Sequence, residues 1–238
     1  MNHTEKHGYA FVLDSICDLD WTDLTEEEFV DVAWAYYFFS IQFRENLAVA
    51  RGLFPDDCKL RQLEREECTT DNLSPWPGVA VAGEKMNHDE FMRRILLLTS
   101  ISEEKRRSFE AAGKRYLDGV RATNPVARAL SIASYEDGGL ERVFRAFLRA
   151  PEWNNPTIKA FRHFLVQHIG FDGDPEQGHG ALARHLVPDD RILPLWRGLK
   201  YLLVTFVPSL ESQDQGGNSA DDTGCRDAAS YAGQVMTG

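Results

Sequence analysis

Helix-start signals recur along almost the whole of the chain, and segments with the alternating pattern of a β-strand are nearly absent. Thr25–Glu28 has the form of a capping box, in which a threonine side chain and a glutamate three residues later satisfy each other's backbone N–H groups. Asn124-Pro125 and Asn155-Pro156 each place a proline in the first helical turn, where the N–H that it lacks has no partner to lose. The pattern predicts an all-α protein.

The capping residues and helix breakers divide the chain into about seven predicted helices. We expect them at about residues 26–53, 55–67, 88–98, 102–120, 125–149 and 156–171 and from residue 188 onward. Such a set predicts one helical bundle domain over residues 1–210. Residues 211–238 contain few apolar side chains to bury, so we expect a disordered tail there.

The charge and the hydropathy of the chain exclude several classes of partner. The formal net charge of the 238 residues is −11, which disfavours nucleic acid and anionic membrane as partners because both bind clustered Lys and Arg. No segment approaches the roughly 20 apolar residues of a membrane span, and no leader peptide is visible. We therefore expect a cytoplasmic protein that acts on a small-molecule substrate. A homodimer is compatible with the sequence.

Potential metal ligands are most concentrated near the end of the predicted helix 156–171. His168 and Asp172 are four residues apart, so they lie on one face of a helix, and an imidazole with a carboxylate suits iron or manganese. His179 would lie about 10 Å farther along an unbroken helix, too far to share their metal. Gly173 and Pro175 break the helix, so we expect the chain to fold back here and bring His179 to the site. The alternative is a capped helix end followed by a polar turn.

Other predicted helices add inward-facing candidates. His88 lies on the same face of its helix as apolar residues, so its side chain is expected to point toward the interior. It is then either a metal ligand or a buried core histidine. Glu136 lies within an apolar periodic segment, where a carboxylate that points inward needs a partner, whereas Asp137 is expected to be exposed. One of the adjacent acids Glu66 and Glu67 would complete a set of Glu and His ligands from several helices, as in diiron bundles.

The order of these residues resembles that of the haem-oxygenase-like diiron oxidases and oxygenases. The resemblance covers most of residues 25–210, and its most specific part is the segment 168–180 with its His-x-x-x-Asp pattern and later histidine. It implies a haem-oxygenase-like helical bundle that holds two Fe(II) ions and uses O2. The ligands that it implies are Glu67, His88, Glu136, His168, Asp172 and His179, of which Glu136 and Asp172 can bridge the ions.

The resemblance also implies a reaction class. Members of this family oxidise small molecules in specialised metabolism, so we expect N-oxygenation, desaturation or oxidative C–C cleavage of an amino-acid-derived substrate. Arg162 and Arg44 are alternative partners for a substrate carboxylate. A metal-free enzyme on the same fold and a non-catalytic helical binding protein are the alternative functions.

The chain departs from the family at the last histidine. The family has this histidine three residues after the aspartate, but His179 follows Asp172 by seven residues. Asp174 and Glu176 are therefore alternative ligands. His163 and His185 fit the site less well, because His163 faces away from His168 and His185 precedes a helix start.

Overall fold

The computed structural model describes residues 8–69, 75–172 and 178–211, and within this part it contains α-helices and no β-strand, which confirms the all-α class. The described part holds ten α-helices where the sequence predicts about seven. They are α1 (Gly8–Cys17), α2 (Glu26–Leu53), α3 (Cys58–Cys68), α4 (His88–Leu96), α5 (Glu103–Ala122), α6 (Pro125–Glu136), α7 (Gly139–Phe147), α8 (Pro156–Asp172), α9 (His179–Ala183) and α10 (Leu193–Phe206).

The helix starts follow the capping residues closely. The capping box of Thr25 and Glu28 is present at α2, with both reciprocal hydrogen bonds formed. Asn87 caps α4 by accepting from the backbone N–H of Glu90 at 2.8 Å. Asn155 accepts from two N–H groups in the first turn of α8, at 2.9 and 3.2 Å. These starts were predictable because a cap is a contact between residues only two or three positions apart.

The predicted helix over residues 125–149 is wrong, because it is two helices in the structure. Gly138 has a φ of +88°, in the left-handed region, and it separates α6 from α7. A Cβ on Gly139 would lie 1.9 Å from the carbonyl oxygen of Ser134, so the turn requires glycine at this position as well. The break makes Glu136 the last residue of α6. The other differences in number are the short helices α1 and α9, which had no strong start signal.

Helix α2 is the centre of the bundle. It is packed against α3, α4, α5, α6, α8 and α10, and 16 of its 28 residues are buried. A helix that is apolar on most of its circumference must be surrounded by other helices. The ring of Tyr36 shows this, because it lies within 6.5 Å of five phenylalanine rings from α2, α7 and α8. The core therefore surrounds α2, and the face of α2 that carries Tyr36 points to the candidate site.

None of the helices in the described ranges is both long and apolar enough to cross a membrane. The tail predicted for residues 211–238 falls, from residue 212 onward, outside the described residues.

Candidate metal centre

Four of the predicted ligands lie at helix ends that meet on one side of α2. Glu67 is in the last turn of α3, and Glu136 is the last residue of α6. His88 and His179 are the first residues of α4 and α9. All four side chains are buried, with at most 10% of each side chain exposed. The packing of these helix ends against one another places the four groups close together.

Glu67 is the centre of this group. Its Oε1 atom lies 2.6 Å from Nδ1 of His179, and its Oε2 atom lies 2.8 Å from Nδ1 of His88. The same nitrogen of His179 lies 3.4 Å from Oε2 of Glu136. Glu67, Glu136 and His179 each offer a ligand atom within 4.8 Å of the others. One buried carboxylate therefore contacts two histidines from different helices.

His168 joins the group from α8. Its Nε2 atom lies 3.3 Å from Nδ1 of His88. Its Nδ1 atom lies 2.9 Å from the carbonyl oxygen of Phe164, which can only accept a hydrogen bond. The Nδ1 atom of His168 is therefore the donor, and Nε2 with its lone pair faces the group. We refer to Glu67, His88, Glu136, His168 and His179 as the carboxylate–histidine cluster.

The segment between His168 and His179 is described only in part. Asp172 is the last residue of α8, but its side chain lies outside the described residues, as do the whole of Asp174 and Glu176. His179 opens a separate helix after Gly178, whose backbone is extended. The side chain of His179 is only 2% exposed. The separate helix and the inward side chain agree with the expected return of the chain.

The charges of the cluster affect Glu67 strongly. Burial raises the pKa of this carboxyl, but the charges of His88 and His179 and their hydrogen bonds outweigh burial and hold the pKa well below its usual range. The two adjacent acids of α3 differ in position, since the side chain of Glu67 is 4% exposed and that of Glu66 is 32% exposed. Glu67 is thus the acid at the centre of the cluster, and Glu66 lies at its edge.

A cavity of about 20 Å³ adjoins the cluster, which is enough for one water molecule or a bare ion but not for an amino acid. Besides cluster residues, its lining consists of Tyr36, Phe39, Ser40, Phe43 and Leu140. Part of the aromatic run of α2 thus lines the site.

Neither of the arginines considered for a substrate carboxylate lines the cavity. Arg44 binds both carboxylate oxygens of Asp89 at 3.0 and 3.1 Å. Arg162 donates to the backbone carbonyls of Ala150 and Leu148. Both guanidinium groups have a structural role in this conformation.

The two histidines expected to fit less well lie elsewhere. The ring of His163 packs at a tilt against Trp76, with 4.8 Å between ring centroids. His185 lies 2.5 Å from a carboxylate oxygen of Asp57, the N-cap residue of α3.

The chemistry of the donor atoms in the cluster fits a metal ion. Carboxylate oxygens and imidazole nitrogens are the ligands that divalent iron and manganese accept. Two ligand atoms bound at about 2.1 Å and at right angles are about 3 Å apart, and the nitrogen–oxygen separations at Glu67 and Glu136 lie between 2.6 and 3.4 Å. Nε2 of His88 is buried and has no hydrogen-bond partner among the described residues. The described residues therefore leave at least one polar atom of the cluster without a hydrogen-bond partner.

Some residues of the site were not identified from the sequence. Leu140 and Ser40 line the cavity, and no short motif marks them. Gly180 lets α9 approach α6, because a Cβ there would lie 3.0 Å from the carbonyl oxygen of Glu136. The glycine next to His179 was a usable signal, since a glycine beside a ligand often marks a close backbone approach.

No protein-family model matches the chain, and no characterised protein and no solved structure is detectably similar to it.

Proposed function

We propose that the chain is a non-haem diiron enzyme that uses O2 to oxidise a small, amino-acid-derived molecule. The observation that carries the proposal is the position of Glu67. Its two oxygens contact imidazoles on two sides, His179 at 2.6 Å and His88 at 2.8 Å. A carboxylate whose two oxygens serve different histidines has the arrangement of a ligand that bridges two ions.

The cluster divides into two halves about Glu67. One half contains His88 and His168, whose facing nitrogens are 3.3 Å apart. The other half contains His179 and Glu136, whose facing atoms are 3.4 Å apart. Each half supplies two donors besides the shared carboxylate. Asp172, which is four residues after His168, would add a third carboxylate by sequence spacing.

The residues of the chain have three roles in this proposal. The cluster holds the ions, and two bound ferrous ions would supply the electrons for the reduction of O2. The apolar wall that includes Phe39, Phe43 and Leu140 keeps water away from the cluster. It also gives the reacting part of the substrate an apolar environment, in which electrostatic interactions are stronger than in water. The substrate class itself rests on the family resemblance of the sequence.

The proposal is tested by titrating the metal-free protein with ferrous iron under anaerobic conditions, with manganese in parallel. We expect about two equivalents of iron to bind, because the six candidate ligands suffice for two ions when carboxylates bridge them. Titration without uptake would remove the diiron function and favour the metal-free enzyme or the binding protein. Tighter binding of manganese than of iron would identify manganese as the metal of the site.

O2 consumption by Glu136→Ala tests the role of Glu136. We expect this variant to lose O2 consumption. Glu141→Ala is the matched control, because Glu141 lies five residues later and pairs with Arg145 at 2.7 Å. Asp137→Ala is a less clean control than the sequence indicates, because Asp137 binds Arg184, the residue that follows α9. Equal O2 consumption in the Glu136 and Glu141 variants would contradict the assignment of Glu136.

A further inference from the structure

A histidine that binds a metal through one ring nitrogen usually donates the N–H of its other nitrogen to a fixed acceptor, which sets the orientation of the ring. In His168 the acceptor is the carbonyl oxygen of Phe164, at 2.9 Å from Nδ1. The outer nitrogen of His88 has no such acceptor among the described residues. His168 and His88 therefore differ in how firmly the chain fixes their rings.

Both ring nitrogens of His179 lie near acids of helix α3, and Nε2 is buried without a hydrogen bond among the described residues. Its Nδ1 atom is 2.6 Å from Oε1 of Glu67, and its Nε2 atom is 3.5 Å from Oε2 of Glu66. The other oxygen of Glu66 accepts a hydrogen bond of 2.8 Å from the side-chain amide of Gln62, one turn earlier on α3. Gln62 thus directs one oxygen of Glu66 and leaves the other facing the ring.

We propose that Glu66 is a positioning residue. When a metal binds Nδ1 of His179, the 3.5 Å separation between Glu66 and Nε2 would shorten, and Glu66 would accept the Nε2–H of the ring. The inference rests on the proposed metal site, and it gives the two adjacent acids of α3 separate roles. Glu67 would bind the ions, and Glu66 would orient the histidine from outside. Both contacts to one ring are available because the ring of His179 is almost completely buried against α3, while Glu66 reaches it from the surface.

The test compares three variants at similar positions of one helix. Glu66→Ala removes the acceptor, Glu66→Gln keeps an acceptor oxygen without the charge, and Glu64→Gln changes an acid that pairs with Arg51 instead. We expect the ferrous-iron affinity to fall about 10- to 100-fold in Glu66→Ala and less in Glu66→Gln. Glu64→Gln should bind iron as the wild type does.

A second measurement separates orientation from general loss of structure. In the protein loaded with Zn(II), which is diamagnetic, nitrogen-15 NMR of the imidazoles should show His179 protonated at Nε2 and bound to the metal through Nδ1. In Glu66→Ala the Nε2 proton should exchange faster with water, while the imidazole signals of His168 stay unchanged. A merely structural defect would affect both histidines.

The outcomes distinguish this inference from the proposed function. If the wild type binds iron and Glu66→Ala binds it with unchanged affinity, the proposed role of Glu66 is wrong, but the proposed metal site is not contradicted. Binding of Zn(II) through Nε2 of His179 would also overturn the inference. Failure of the wild type to bind either metal would overturn both.

Discussion

The core of the bundle contains two groups of polar residues, and they differ in how the chain satisfies their hydrogen bonds. The first is the carboxylate–histidine cluster. The second, which we call the amide–hydroxyl layer, consists of Gln42, Asn46, Ser131 and Tyr135. Gln42 donates to the hydroxyl of Tyr135 at 2.6 Å, and Asn46 donates to the hydroxyl of Ser131 at 3.1 Å. Both groups lie in the core of one bundle, so their different chemistry does not come from different exposure.

The amide–hydroxyl layer matches its donors with acceptors from the chain. Oε1 of Gln42 accepts from the hydroxyl of Tyr116, and Oδ1 of Asn46 accepts from Nε of Arg128 at 2.8 Å. None of these atoms is among the buried polar atoms without a partner in the described part. In the cluster, by contrast, the outer nitrogen of His88 has no hydrogen-bond partner among the described residues, and Glu67 and Glu136 both face the same nitrogen of His179. A matched layer stabilises the fold, whereas a group with spare donor atoms favours the binding of an ion.

The largest expected effect comes from removing the central carboxylate. Glu67→Gln should lower the affinity for ferrous iron on the order of 100-fold or more, because a direct ligand costs at least as much as its supporting residues. The measurement is anaerobic titration against a competing chelator, with Glu64→Gln as the control on the same helix. Wild-type affinity in Glu67→Gln would show that the cluster is only a buried ion-pair network.

Disruption of the amide–hydroxyl layer should affect stability instead of metal content. Gln42→Leu removes the acceptor of the Tyr116 hydroxyl and one of the two partners of the Tyr135 hydroxyl, so we expect a loss of about 1–3 kcal/mol in the free energy of unfolding. Urea unfolding of the metal-free protein measures it. Iron stoichiometry should not change, and a variant that folds normally but has lost iron would contradict the separation of the two groups.

Asp31 offers a third comparison, a buried carboxylate with a fixed cation of its own. It lies 2.8 Å from Nζ of Lys105, yet burial outweighs this partner and raises the pKa of Asp31 from 3.8 to about 6. A raised pKa in the folded state contributes stability that is complete below the unfolded value and is lost as the pH rises through about 6.

Asp31→Asn should therefore gain stability relative to the wild type between about pH 4.5 and about pH 7.5. We expect the difference in unfolding free energy between the variant and the wild type to shift by about 1–2 kcal/mol in favour of the variant. Urea unfolding at the two pH values gives this shift. If the stability difference between Asp31→Asn and the wild type is the same at both pH values, the pKa of Asp31 is not raised in the folded protein.

The smallest expected effect concerns the approach of α9 to α6. Gly180→Ala places a Cβ 3.0 Å from the carbonyl oxygen of Glu136, so α9 must move by a few tenths of an ångström and carry His179 with it. We expect a decrease of a few-fold to about 10-fold in iron affinity, which corresponds to about 1 kcal/mol. Gly119→Ala is the control, because a Cβ on Gly119 meets nothing within 4 Å. Equal iron affinity in both variants would show that the position of α9 is not critical.

The sequence by itself determined the class of the fold and most helix starts. The caps at Thr25, Asn87 and Asn155 depend on contacts within one helical turn, and such contacts form whatever the rest of the chain does. The sequence also predicted, as metal ligands, the five residues that the structure brings together in the carboxylate–histidine cluster. Their residue types and their apolar surroundings are local properties, and a buried ionisable side chain requires a partner in any fold.

The tertiary structure alone decided how these residues meet. The sequence could not choose between Glu66 and Glu67, because adjacent residues differ by about 100° around a helix and only packing fixes which of them faces the core. It also missed the end of α6 at Glu136, since the left-handed turn at Gly138 competes with the apolar pattern that continues on both sides. The distances around Glu67 join helices far apart in sequence, and contacts of that kind follow from packing and not from local preference.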